Sequence, residues 1–120
     1  MQVRDHLLTV DEPLCDGGED AGPDPQELLA VSLASCTAIT MEMYAARKGW
    51  DIGGVEVDVE FQPAERGAPT RFDLILHLPD DLPDEQVEKL RVIAAKCPVH
   101  RVLDGEVMFQ ERVERVHLAA

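Results

Sequence analysis

The feature that most constrains this 120-residue chain is one long, unbroken helix signal in its first half. Asp24 can act as an N-cap, Pro25 suits the first helical position, and Glu27 stands three residues after the cap. Nothing breaks the helix until Gly49, which directly follows two basic residues of the kind favoured at a helix C-terminus. The pattern predicts a helix of about 23 residues, ~35 Å long at 1.5 Å per residue.

The middle of this helix is apolar or small on every side. Its uncharged stretch, residues 28–41, is too short for a membrane span, which needs ~18 residues or more. We therefore expect the helix to be buried around most of its circumference. In so small a protein, that burial requires a wrapping sheet or a partner subunit, and we expect both.

The rest of the chain predicts an α+β fold. Residues 55–61 alternate between apolar and acidic side chains, which is typical of a strand with one wet face. Other predicted elements are a strand over residues 2–10, a loop over 11–24, a strand over 71–78, a helix over 83–96, a turn over 99–103 and a strand over 106–118. The order βαββαβ indicates a mostly antiparallel sheet in a single domain, residues 1–120.

The composition limits the partners that this chain can have. It has 24 acidic and 11 basic residues, a formal net charge of -13, which repels nucleic-acid phosphates and anionic lipid. We therefore expect no nucleic acid and no membrane among its partners. Three cysteines are too few for a disulfide-stapled secreted scaffold, and no export leader is evident, so a cytoplasmic location is expected.

Two of the three cysteines are candidates for chemistry. Cys36 lies in the middle of the long helix, where the simplest interpretation is a small buried hydrophobe. Since no charge lies between residues 28 and 41, any activation of its thiol must come from elsewhere in the fold or from a second subunit. Cys15 stands beside Asp16 in the acidic loop, where negative charge disfavours a thiolate, so it is interpreted as a bystander.

Cys97 directly precedes a proline and is well placed to cap the turn that follows, where free N–H groups stabilise a thiolate. Lys96, His100 and Arg101 surround it with positive charge in an otherwise acidic protein. The competing interpretation is a helix-end residue with incidental bases nearby. A metal site that uses Cys97 and His100 is not predicted, because no second ligand pair accompanies them.

Several short motifs, in this order and at these spacings, resemble the OsmC/Ohr superfamily, most closely its general OsmC-like branch. They are Asp11-Glu12-Pro13, Gly17-Gly18, Gly22-Pro23-Asp24-Pro25, Ala34-Ser35-Cys36-Thr37 and Lys96-Cys97-Pro98-Val99-His100-Arg101. The resemblance implies an intertwined α+β homodimer, with two long central helices packed back to back and sheets wrapped around them.

The resemblance also implies thiol peroxidase chemistry without a cofactor. In such families the first cysteine, here Cys36, is a thiolate that attacks the O–O bond of a hydroperoxide and becomes a sulfenic acid. The second, here Cys97, converts it to a disulfide, which an external dithiol reduces. The implied partners are thus a small hydroperoxide, a dithiol reductant and a second copy of the chain.

Peroxidase members of the superfamily stabilise the thiolate with an Arg, oriented by a Glu ten residues before the reactive cysteine. That position is Gln26 here, with Glu27 directly after it. Arg4 and Arg101 are the candidates for the Arg, and His100 is the one histidine near a candidate thiol. The neutral Gln26 keeps a second hypothesis open, a non-catalytic OsmC-fold protein that binds a small molecule in an apolar pocket at the dimer interface.

Overall fold

A computed structural model describes residues 1–117 of the chain and confirms the α+β class. Its elements are β1 (Gln2–Val3), β2 (His6–Leu7), α1 (Pro25–Lys48), β3 (Glu56–Gln62), β4 (Arg71–His77), α2 (Asp84–Ala94) and α3 (Pro98–Asp104). A short 3-10 turn, Leu14–Asp16, lies in the loop before α1. β1 pairs with β2 and β3 pairs with β4, both antiparallel.

The predicted ends of α1 are confirmed. The Asp24 carboxylate accepts the Glu27 N–H at 2.7 Å, and the Glu27 carboxylate accepts the Asp24 N–H at 3.0 Å. A cap of this kind is worth about 1 kcal/mol. At the other end Gly49 adopts φ +71°, a left-handed conformation that ends the helix at little steric cost.

α1 is buried on one face only. The buried stripe repeats every four residues and comprises Leu33, Thr37, Met41 and Ala45. The opposite side, called the outer face here, carries exposed Val31, Ile39 and Met43. The prediction of burial around most of the circumference is therefore wrong for the single chain, because the hairpin β3–β4 and helices α2 and α3 supply too little surface to surround so long a helix.

The core forms where the C-terminal half of α1 meets α2. Met41 and Leu90 are fully buried at its centre. The other buried members are Ala45, Ile52 and Ala94. Tyr44 and Trp50 close one end with an edge-to-face ring contact at a centroid distance of 5.6 Å.

The hairpin β3–β4 confirms the strand predicted from alternation. Val57, Val59 and Phe61 are half-buried, and the acidic residues between them are exposed. The register pairs Val57 with Leu76, and exposed Asp58 contacts His77 at 2.8 Å. Within residues 1–117, each of the two strands pairs only with the other. An isolated two-stranded hairpin is marginal in water, so packing against α1 is needed to hold it.

Two predicted strands differ from the structure. The strand over residues 2–10 is replaced by two strands of two residues each, joined by a turn at Arg4 with φ +52°. Residues 106–117 form no regular element, and residue 118 of the predicted strand lies outside the described residues. The reason is the lack of a pairing partner for residues 106–117 in the described part of the chain, which leaves Val107, Phe109 and Val113 exposed.

The chain is also more extended than a compact domain of its length. Its radius of gyration is 18.5 Å, against ~14 Å expected for a compact domain of this size. By length and composition, α1 is apolar enough to cross a membrane. That is weak evidence for a span, because core helices of soluble proteins have the same composition and α1 packs one face into the core.

The acidic loop before α1 is organised by Asp11. Its carboxylate accepts the backbone N–H groups of Ala21 at 3.2 Å, Glu19 at 3.0 Å and Glu12 at 2.9 Å. These bonds hold the pKa of Asp11 below its usual range, with the bond from Ala21 contributing most. Gly18 is required in the same loop, since a Cβ there would lie 2.0 Å from the carbonyl oxygen of Glu12.

We predict that Asp11→Asn lowers the melting temperature at pH 7. Because the pKa of Asp11 is lower in the folded state, its stabilisation is present above the unfolded pKa of ~3.9 and is lost as the pH falls through the folded value. The melting temperatures of variant and wild type should therefore converge in acid, as measured by circular dichroism. Asp16→Asn, an exposed acid of the same loop, is the control, and equal effects of the two variants would contradict the prediction.

Candidate functional site

Cys97 is the N-cap of α3 and is fully buried. Its Sγ accepts the backbone N–H of His100 at 3.2 Å, which confirms the predicted capping role. Pro98 follows at the first helical position, where its fixed φ and missing N–H suit a helix start. The local sequence thus holds the sulfur against the free N–H groups of a helix end.

The second contact of the Cys97 sulfur is Thr37 on α1. The two atoms Thr37 Oγ1 and Cys97 Sγ lie 3.7 Å apart, and the same Oγ1 donates to the Leu33 carbonyl at 2.8 Å. Sequence reasoning did not single out Thr37. One feature of the sequence pointed to it: Thr37 lies on the i, i+4 stripe that faces the core, and a buried hydroxyl needs a hydrogen-bond partner.

Cys36 lies next to Thr37 on α1 and is half-buried. Its helical neighbours at i+3 and i+7, Ile39 and Met43, belong to the exposed outer face. Thr40 donates its hydroxyl to the Cys36 carbonyl at 2.7 Å. Cys36 therefore stands at the border between the buried stripe and the outer face of α1.

The contact between α1 and α3 places Cys97 against the residue that follows Cys36. Cys97 rests against Thr37, the residue that follows Cys36, and consecutive Cα atoms are ~3.8 Å apart. Both cysteines are free, and so is exposed Cys15 in the acidic loop. Cys36 is half-buried and Cys97 is buried, and they belong to two helices that pack against each other.

The bases around Cys97 do not bond to its sulfur. His100 contacts Sγ through its backbone N–H, while exposed Arg101 donates its own backbone N–H to the Cys97 carbonyl at 3.2 Å. Lys96 is exposed as well. The predicted basic cluster therefore surrounds Cys97 in sequence, but the hydrogen-bond partners of its sulfur are the uncharged Thr37 hydroxyl and one N–H group.

Gln26 and Glu27 are not brought to Cys36 within one chain. They lie ten and nine residues before it, respectively, about 15 Å along the helix axis. The Glu27 carboxylate is held in the cap of α1, and Gln26 is exposed. Both line a separate cavity of about 350 Å³ beside Val59 and Phe61.

Two further cavities are lined by His100, whose backbone N–H bonds to the Cys97 sulfur. One, of about 420 Å³, lies between α1, β4 and α3, with walls that include Leu33, Leu74 and Leu103. The other, of about 280 Å³, lies between β4 and α2 and reaches Thr37, with Arg91 in its lining. His100 lines both. Within residues 1–117, no group of three or more metal-ligating side chains is found.

Comparison with known proteins gives consistent matches. A protein from Psychrobacter arcticus named for osmotic stress induction and a detoxification response is 26% identical, covers 79% of this chain and 70% of its own, and superposes with a TM-score of 0.67. A Vibrio cholerae protein named for organic hydroperoxide resistance, solved with captopril in one of its active sites, is 23% identical over 82% of this chain and 69% of its own, at a TM-score of 0.62.

An uncharacterised protein of Haloferax volcanii is 25% identical over 108 residues, which are 88% of this chain and 78% of that protein. The OsmC-like protein family matches residues 17–112, which include both candidate cysteines and every element from α1 to α3. On this match, the chain belongs to the OsmC-like protein family.

Proposed function

We propose that this protein is a thiol peroxidase that reduces organic hydroperoxides through Cys36 and Cys97. The observation that carries the proposal is the contact of buried Cys97 with the turn of α1 that bears the more accessible Cys36. Structural relatives named for organic hydroperoxide resistance support the same chemistry.

The reaction divides between the two sulfurs. The Cys36 thiolate attacks the peroxide oxygen, the O–O bond breaks, and the products are an alcohol and a Cys36 sulfenic acid. The Cys97 thiolate then attacks the sulfenic sulfur, which forms the disulfide and releases the sulfenic oxygen as water. An external dithiol returns both cysteines to thiols and is itself oxidised to a disulfide.

The surroundings of the thiols favour an apolar hydroperoxide. The 420 Å³ cavity has leucine walls from α1, β4 and α3 and is large enough for part of an alkyl chain. Cys36 also borders the apolar outer face of α1. The hydroperoxide group of such a substrate would find polar groups at His100, which lines this cavity, and at Thr37 in the neighbouring cavity.

Mixing reduced protein with an alkyl hydroperoxide should consume two thiols for each peroxide reduced. Cys36→Ser should abolish the reaction, because no other cysteine is placed to attack and be resolved. In the Cys97→Ser variant, the reaction should stop after one oxidation and leave a sulfenic acid on Cys36, which dimedone traps. Thiol titration and mass spectrometry measure these outcomes.

Cys15→Ser is the matched control for that titration, since Cys15 is an exposed thiol outside the site, and it should leave the stoichiometry of the Cys36–Cys97 pair unchanged. Unchanged peroxide consumption in Cys36→Ser would overturn the assignment of the attacking thiol. A wild type that loses no thiols would overturn the peroxidase proposal as a whole.

We also propose that the working form is an intertwined homodimer. The outer face of α1 is apolar and uncovered, and each strand of β3–β4 has an unpaired edge within residues 1–117. Residues 106–117 have no partner strand within the described chain and expose apolar side chains at residues 107, 108, 109, 113 and 116. A second copy would cover the outer face of α1 and supply strands to pair with the open edges of β3 and β4 and with residues 106–117. The extended shape of the single chain fits such an intertwined pair.

Ile39→Glu should convert the dimer to monomer at micromolar concentration. A carboxylate in an apolar contact loses its hydration in both copies, so the dissociation constant should rise about a hundredfold or more. Val92→Glu is the control, since Val92 is an exposed apolar residue on α2 instead of α1. Light scattering measures the mass, and a monomeric wild type, or equal dissociation of both variants, would contradict the proposal.

A second candidate function is small-molecule binding without turnover. It is favoured by the neutral, exposed Gln26 and by the engagement of the Glu27 carboxylate in the cap of α1. A binding protein would leave its thiols unchanged in the peroxide titration and yet show saturable binding of an apolar probe. In either case we infer a reducing, cytoplasmic setting, where free thiols persist.

A further inference from the structure

The buried hydroxyl of Thr37 is the polar side-chain group nearest the Cys97 sulfur. Thr37 is 2% exposed and Cys97 is 0% exposed, so bulk water is excluded from their contact. The hydroxyl has a single proton, and at rest it donates that proton to the Leu33 carbonyl at 2.8 Å. With that proton donated to the Leu33 carbonyl, the Oγ1 atom is free to accept a hydrogen bond from the Cys97 thiol, whose sulfur lies 3.7 Å away.

This arrangement suits the resting thiol and must change when Cys97 becomes a nucleophile. Once the thiol proton leaves, a lone pair of Oγ1 would face the negative sulfur. The Leu33 carbonyl lies inside α1, where it also accepts the backbone N–H of residue 37, so it does not depend on the hydroxyl. The hydroxyl is then free to turn and donate to the thiolate.

We propose that Thr37 is a positioning residue that orients Cys97 and donates a hydrogen bond to its thiolate during attack on the Cys36 sulfenic acid. This inference rests on the proposed peroxidase function. The thiolate would have two donors: the His100 N–H fixes the sulfur at the start of α3, and the Thr37 hydroxyl links it to the turn of α1 that contains Cys36. The other titratable side chains that line the cavity beside Thr37 are Arg91 and His100, and they remain in every variant below.

Thr37→Val tests this role, because valine keeps the shape of threonine and removes the hydroxyl. Loss of a hydrogen bond to a charged group should slow disulfide formation about tenfold to a hundredfold. Formation of the Cys36 sulfenic acid should keep its wild-type rate. The intermediate should therefore accumulate in single-turnover experiments, where dimedone trapping and mass spectrometry quantify it.

Two further variants separate chemistry from structure. Thr37→Ser keeps the hydroxyl and loses a methyl group, so it should restore fast formation of the Cys36–Cys97 disulfide. A purely packing role would instead make disulfide formation slower in Thr37→Ser than in Thr37→Val. Thr40→Val removes a comparable hydroxyl, one bonded to the Cys36 carbonyl, and should leave the closure step unchanged. Equal closure rates in Thr37→Val and wild type, or failure of Thr37→Ser to restore the rate, would overturn the inference.

A second experiment separates failure of this inference from failure of the peroxidase proposal. If wild type forms no sulfenic acid, the same variants are compared in a Cys15→Ser/Cys36→Ser background, where Cys97 is the sole thiol. Its rate of exchange with a small aromatic disulfide should then fall in Thr37→Val and recover in Thr37→Ser. An unchanged exchange rate in that background would overturn the inference independently of any peroxide chemistry.

Discussion

The one-sided burial of α1 governs the rest of this structure. A 24-residue helix that is apolar or small around its middle needs cover on all sides, and 120 residues provide it on one side only. The hairpin, α2 and α3 all gather on the buried stripe, while the outer face remains open. Each of these elements is too short to be stable alone, so α1 both supports them and depends on them.

The same helix determines where the candidate site lies. Cys36 stands at the border between the two faces of α1, and Thr37 turns inward to meet Cys97. Neighbouring positions of one helix thus contribute an accessible thiol and a buried hydroxyl, separated by the 100° rotation from one residue to the next. The short helix α3 supplies the third component by presenting Cys97 at its start.

Local signals in the sequence predicted a large part of this arrangement. The caps at Asp24 and Gly49, the alternating strand β3 and the capping role of Cys97 depend on residues close in sequence, and all are confirmed. The predicted strand over residues 106–118 depends on a partner strand, which the described chain lacks, so residues 106–117 have no regular structure. Thr37 was missed because its role arises from packing of α1 against α3, sixty residues apart in the sequence.

Under the proposed peroxidase function, the capping role of Cys97 would link the oxidation state of the protein to the order of a helix. α3 has seven residues, none of them buried, and the sulfur that accepts the His100 N–H is the same atom that would enter a disulfide. In the proposed catalytic cycle, a disulfide sulfur would be a poorer acceptor than the Cys97 thiolate, so oxidation would weaken the N-terminus of α3. Helix content near residues 98–104 would then be thermodynamically coupled to the oxidation of the proposed pair, and whatever stabilises α3 would favour the reduced form.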